Sequence, residues 1–267
     1  MTKAAIPALQ AESDRVTHLI NGLDPAEWAG PSGCAGWRVQ DVVAHMGAVF
    51  RSICGDSSIP SDPSGDAEKS AELAVAPRKE WSSAAVRDEY LEWAPKGIAA
   101  LTALQDPPMA DTVAPLGNLG SHPLHILANA IVFDHYCHLR HDIGAAVARA
   151  AALPRDGAAL TATLEWMLMG LPQMCASALS AAPRQAVNFQ FDGVPDSEFV
   201  LAPALEPDGV WTVVPGRVEG APTCRTTAHD FVSWGTKRAD WRASSQLDGE
   251  ADATEQAAGV LDAINII

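Results

Sequence analysis

The stretch Asn129-Ala-Ile-Val-Phe-Asp-His-Tyr-Cys-His-Leu-Arg-His-Asp142 decides how the first half of this chain is read. It predicts part of one long helix, with Ser121 as its N-cap and Pro123 in its first turn. A helix returns residues i, i+4 and i+7 to one face, so Asp134, His138 and His141 share a face, flanked by His135 and Asp142. Ionisable groups inside an otherwise apolar helix are rarely buried without a partner. Two readings stand at this point. A bound metal supplies that partner, or the stretch is a solvated, histidine-rich helix edge on which Asp134 and His138 form an ordinary i, i+4 pair.

Working outward from that helix, residues 8–21 form a first helix, closed by the turn Asn21-Gly-Leu-Asp-Pro25. Residues 28–36 are broken by Gly and Pro and read as a loop. In residues 37–50, Val39, Val42, Val43, Met46 and Phe50 follow the i, i+3, i+4, i+7 spacing of an amphipathic helix. His45 lies just off that stripe, at the edge of the core. Residues 55–66 carry Ser, Asp, Pro and Gly and read as a mobile loop. A third helix spans residues 82–105, with Pro95 expected to kink or split it. Asp106-Pro-Pro108 ends it, and residues 111–120 connect to the histidine-rich helix. Four helices with short connections, one long loop apart, predict a bundle over residues 1–152, with no strand in it.

The pattern changes over residues 153–267. One more helix covers residues 157–181, and then period-two alternation appears in Val187-Asn-Phe-Gln-Phe191, followed by the turn signal Asp192-Gly193. Phe199-Val-Leu201, Val210-Trp-Thr-Val-Val214 and residues 223–227 read as further strands, residues 228–234 and 254–264 as helices. The fold class is therefore α+β: a helical bundle, then a helix and a small α+β domain with a mainly antiparallel sheet.

Composition narrows the function classes. Hydrophobic residues make up 48% and charged residues 19% of 267 residues, which fits a soluble globular protein. The net charge of −15, with no basic run, argues against nucleic acid and against anionic membrane surfaces as partners. Five widely spaced cysteines without a CxxC exclude a disulfide framework or a zinc knot. No leader pattern follows Met1 and no apolar run spans a membrane, so the expectation is a cytoplasmic protein with reduced thiols. Motifs of nucleophile-elbow hydrolases, P-loops and dinucleotide folds do not occur.

His45 on one helix with Asp134 and His138 on another makes a two-histidine, one-carboxylate set. Three protein ligands leave a fourth position open, as in catalytic zinc sites. The opposing reading makes His45 a boundary histidine bonded to a backbone carbonyl. Trp28 and Trp37 read as core or lid aromatics, Cys137 as buried core, His229 as a helix-start residue, and His122 and His125 as solvated.

The segment Pro31-Ser-Gly-Cys-Ala-Gly-Trp-Arg-Val-Gln-Asp-Val-Val-Ala-His45 resembles the opening signature of the mycothiol-dependent maleylpyruvate isomerase family. The resemblance implies a DinB-like four-helix bundle carrying a divalent metal, usually zinc, held by the histidine of that helix and an E-x-x-x-H pair on the last bundle helix. His45, Asp134 and His138 take those positions. Thr223-Cys-Arg-Thr-Thr-Ala-His-Asp-Phe-Val-Ser-Trp-Gly-Thr-Lys-Arg238 is similar to the family's sterol-carrier-like C-terminal domain, where a short helix ends in a Gly-Arg facing the metal. That implies a catalytic role for Arg238 as a carboxylate clamp, against a surface salt bridge with Asp240 or Asp230. Three departures stand out. Asp134 replaces the family's glutamate. The acid expected three residues after the second histidine comes one later, as Asp142, which leaves His135 or His141 open as alternative ligands. Gly235 and Arg238 are separated by Thr236 and Lys237.

The implied function is a metal-dependent isomerase or S-transferase. It would use mycothiol as thiol co-substrate and act on a small electrophilic, carboxylate-bearing partner. The competing class is a non-catalytic small-ligand-binding protein of the same fold.

Overall fold

The computed structural model describes residues 4–195, 197–204, 206 and 209–267. The first residues of the chain, read above for a leader, lie outside them. The described chain divides into two compact units, Met1–Ala162 and Thr163–Ile267.

The first unit is built on four long helices: α1 (Ala5–Asn21), α3 (Val39–Ile53), α5 (Ser83–Ala103) and α6 (Leu127–Cys137). Their shared core includes Leu9 and Val16 from α1, Val43, Met46 and Phe50 from α3, Val86 and Tyr90 from α5, and Val132 and Tyr136 from α6, all fully buried. The start of α3 is fixed locally. The Asp41 carboxylate accepts the Arg38 backbone N–H at 2.9 Å and pairs with the Arg38 guanidinium, so the helix entry is set about two turns before His45. Helices α3 and α5 approach closely at Gly97, where a Cβ would stand 2.2 Å from Phe50 Cδ1. Two short helices, α2 (Pro25–Ala29) and α4 (Ala67–Val75), fill connections. The first starts at the end of the turn read over residues 21–25 and reaches the first two residues of the stretch read as loop; there Asp24 accepts the Glu27 N–H and Pro25 opens the helix.

One expectation for this unit fails and another holds at most in part. Strands β1 (Val113–Pro115) and β2 (Ser121–Pro123) form an antiparallel hairpin inside the region expected to be all-helical. Ser121 is thus in a strand rather than at an N-cap, and α6 begins at Leu127 after one tight turn. The reason is local. His122 precedes Pro123, and a residue before proline is pushed from the helical to the extended region. Gly117 and Gly120, with φ of 61° and 99°, supply the turn. Pro95, in turn, does not split α5, which runs through it. Only one backbone donor is lost, and packing on both sides holds the helix.

After α6 the backbone widens into a π-turn over His138–Ile143. The short helix α7 (Ala148–Ala151) follows, and α8 (Gly157–Met174) crosses the boundary between the units. The helix expected over residues 157–181 breaks at Cys175, with α9 (Ala176–Ala181) as a separate piece.

The second unit holds a five-stranded sheet in the order β5-β4-β3-β6-β7, formed by Thr212–Pro215, Glu198–Ala202, Val187–Asp192, Thr223–Thr227 and Gln246–Asp248. Only β3 and β6 pair in parallel; the other neighbours are antiparallel. The alternation in β3 places Phe189 and Phe191 in a buried aromatic cluster with Phe231 and Trp234 of α10 (Ala228–Gly235). Helix α11 (Ala251–Asp262) closes the chain. No described helix is long and apolar enough to cross a membrane.

Because Phe50 fills the space a side chain would need at Gly97, Gly97→Ala is expected to lower stability by about 1–3 kcal/mol despite alanine's better helix propensity. Denaturant titration checks this.

Candidate metal centre

His45 on α3 and Asp134 on α6 meet in the bundle, with His45 Nε2 3.0 Å from Asp134 Oδ1. One turn on, His138 Nε2 lies 3.4 Å from the same oxygen. The two imidazoles stand edge to face with centroids 5.1 Å apart. One donor atom from each of the three residues falls within 4.8 Å of the others. Ligand atoms about 2.0–2.1 Å from one tetrahedral ion are spaced by about 3.3 Å, so both measured separations match such an edge. The side chains are 12–17% exposed, so the set is largely buried yet keeps some contact with solvent.

The electrostatics follow from crowding. Burial alone raises the Asp134 carboxyl, but the charges of His138 and His45 outweigh it and hold the group well below the usual carboxylate range. Burial alone lowers His138, yet the adjacent Asp134 carboxylate lifts it well above the ordinary imidazole value. His45 Nδ1 is buried without a hydrogen-bond partner among the described residues. A cation between these groups meets three donors already turned to one point, so the residues present fit a divalent ion. Two imidazole nitrogens and a carboxylate oxygen suit zinc.

The surrounding shell is equally defined. The loop Pro31-Ser-Gly-Cys-Ala-Gly36 forms a tight turn in which Ser32 Oγ donates to the Trp37 carbonyl at 2.9 Å and accepts the Cys34 N–H at 3.1 Å. The loop is pinned on the π-turn by the Gly33 N–H, which donates to the Asp142 carbonyl at 2.9 Å. His138 Nδ1 is 2.7 Å from Asp142 Oδ2 and 3.9 Å from Cys34 Sγ. Cys34, His138 and Asp142 thus make a second close donor group, sharing His138 with the first. Trp37 leans over His45 with ring centroids 5.6 Å apart, and its Nε1–H donates to Glu72 at 2.6 Å.

The other histidines go elsewhere. His135 is fully buried with Nδ1 3.0 Å from the Ile131 carbonyl and Nε2 3.0 Å from the Tyr90 hydroxyl, so both ring nitrogens are engaged in the fold. Its Nδ1 also passes 3.3 Å from Asp134 Oδ2. His141 belongs to neither converging donor group among the described residues. His122 and His125 are not solvated as expected. His122, in β2 of the unforeseen hairpin, is buried with Nε2 2.8 Å from the Leu119 carbonyl, and the half-buried His125, in the tight turn that follows, has Nδ1 2.7 Å from the Ala110 carbonyl. Cys137 is buried, as read.

Arg238 belongs to the second unit and is exposed there. It follows Lys237, which takes the left-handed conformation at φ 58°. The Lys237 and Arg238 N–H groups donate to the carbonyls of Trp234 and Ser233 at 3.1 and 2.9 Å, closing α10 in a Schellman motif. Lys237 therefore sits where a glycine is favoured, directly before the arginine.

Sequence reasoning missed Cys34 beside the site and the π-turn. The spacing from His138 to Asp142 was visible. The widened turn that carries it has no sequence signature.

Residues 9–143, just over half of the chain, match the family model described as the mycothiol maleylpyruvate isomerase N-terminal domain. Two solved structures share the fold: the crystal structure of the mycothiol-dependent maleylpyruvate isomerase and that of a histidine-to-alanine mutant of it. They superpose with TM-scores of 0.58 and 0.57 at 13% and 12% identity, each over 93% of this chain and 94% of that chain. No curated protein matches the chain by sequence.

If His135 is a packing histidine rather than a ligand, Tyr90→Phe strands a buried ring nitrogen. Stability should then fall by about 1–3 kcal/mol, with metal content unchanged. Thermal denaturation alongside metal analysis checks this, and lost metal would put His135 back among the ligands.

Proposed function

Because the chain belongs to the mycothiol maleylpyruvate isomerase family by its N-terminal domain, we propose that it is a metal-dependent thiol enzyme. It uses mycothiol and acts, as isomerase or S-transferase, on a small electrophile bearing a carboxylate. The observation that carries this reading is the meeting of His45, Asp134 and His138 on two helices of the bundle.

In this reading His45 Nε2, Asp134 Oδ1 and His138 Nε2 hold one divalent ion, zinc by the character of the donors. A bound ion of that kind supplies Lewis-acid charge, which lowers the pKa of a thiol brought to it. The chain's own groups set the stage. Asp134 contributes the negative charge that gathers both imidazoles. Trp37 shields the ring of His45 on one side, while the residual exposure of the three donors leaves them accessible to a thiol. The thiolate adds to the electrophilic carbon. It leaves again after rotation about the former double bond in an isomerase, or stays attached in a transferase. Arg238 offers a guanidinium fork that fits a carboxylate through two parallel hydrogen bonds.

The test is metal analysis of the purified chain together with thiol-dependent turnover of maleylpyruvate-like and other electrophiles. One divalent ion per chain is expected, and His45→Ala should lose both ion and turnover. Asp134→Glu should keep the ion. Arg238→Ala should keep the ion but lower kcat/KM for carboxylate substrates about 10- to 100-fold, the worth of a charge-assisted hydrogen bond. A metal-loaded protein that neither binds a thiol nor consumes an electrophile would leave the small-ligand-binding reading in place.

A further inference from the structure

Resting on that metal reading, we propose that Asp142, seated against Gly33, is a positioning residue that fixes the imidazole of His138 for metal binding. The ring of His138 is held at both ends. Nε2 faces Asp134 Oδ1 at 3.4 Å, and Nδ1 meets Asp142 Oδ2 at 2.7 Å. The Asp142 side chain is 1% exposed, so this carboxylate is withdrawn from water and committed to the ring. A carboxylate on the far nitrogen of a ligating histidine sets its tautomer, orients the ring and raises its basicity.

Three features place Asp142 there. First, the backbone from His138 to Ile143 is a π-turn. Its wider winding turns the residue four along from His138 back relative to its place on an α-helix, under the ring. π-bulges of this kind recur at functional sites. Second, Gly33 leaves room. A Cβ at Gly33 would lie 2.8 Å from Asp142 Oδ1 and 3.0 Å from its Cα, too close for any side chain. Third, the Gly33 N–H holds the Asp142 carbonyl. The loop before α3 and the turn after α6 therefore lock around one carboxylate. The short hydrogen bond also decides between the two donor groups that share His138. It commits Nδ1 to Asp142, leaving Nε2 for an ion, and Cys34 at 3.9 Å stands outside.

The test compares wild type, Asp142→Asn and Gly33→Ala by zinc affinity, measured in competition with a chromophoric chelator, and by the visible spectrum of the cobalt-substituted chain. Asp142→Asn keeps the shape and removes the charge. Gly33→Ala presses on the carboxylate without altering any donor. Each should weaken zinc binding about 10- to 100-fold and shift the cobalt bands. Loss of packing alone would leave the bands of the bound ion in place. Wild-type affinity and an unchanged spectrum in both variants overturn the positioning role while leaving the metal centre intact. If Asp142→Asn does not fold, Gly33→Ala decides alone. A wild-type chain that takes up neither zinc nor cobalt removes the metal reading itself, and this inference with it.

Discussion

A carboxylate pushed into the interior of a helical bundle is the constraint around which the first unit is arranged. An unpaired buried charge costs several kcal/mol, so Asp134 demands compensation from its neighbours. It receives two imidazoles, one from its own helix and one from α3. That is possible only if α3 and α6 are delivered to one place with little freedom. Two further charge clusters, centred on the buried carboxylates of Glu12 and Glu89, hold the frame. Arg140, in the π-turn, meets Glu12 of α1 bidentately at 2.9 and 3.0 Å with both side chains fully buried, and stacks on Tyr136. Glu89 of α5 takes Arg78 at 2.6 Å and Arg51 of α3 at 2.7 Å. Breaking such a pair leaves a charge stranded, which costs about 3–5 kcal/mol, so these contacts act as fixed pins.

The substitution of aspartate for the family's glutamate looks, from sequence, like a weakening. In the fold it does not leave a gap. The shorter side chain still brings Oδ1 to 3.0 Å from His45 Nε2. The displaced acid resolves in a related way. Asp142 comes one residue later than expected, and the segment that carries it is wound as a π-turn, with one more residue in the turn than an α-helix has. From this turn the carboxylate reaches the histidine, with Oδ2 2.7 Å from His138 Nδ1.

The parts of this protein that were legible in its sequence are those with one dominant local demand. The apolar stripe of Val39, Val42, Val43, Met46 and Phe50 has nowhere to go but a core. The alternation around Phe189 and Phe191 likewise fits only a strand with one face buried. The i, i+4 spacing of Asp134 and His138 fixed a shared face before any fold was known. What could not be read depended on competition. At Ser121 a good capping residue lost to the steric demand of Pro123 on His122. At Pro95 the helix is not split. His135 looked like a ligand by type and neighbourhood. Only the position of the Tyr90 hydroxyl, far away in sequence, shows that its second nitrogen is engaged.

At Arg238 the backbone conformation adds what spacing does not show. By sequence, two residues separate Gly235 from Arg238. The backbone ends α10 at Thr236 and turns left-handed at Lys237, so Arg238 directly follows the left-handed residue. A non-glycine side chain in that conformation costs about 1 kcal/mol, which something must offset. The Lys237 Nζ donates to the Asp262 carbonyl at 2.8 Å, at the end of α11, tying the turn to the last helix of its own unit. The strain is thus held by the unit that presents the arginine. A lysine here keeps the turn and adds an anchor, where glycine would keep the turn alone.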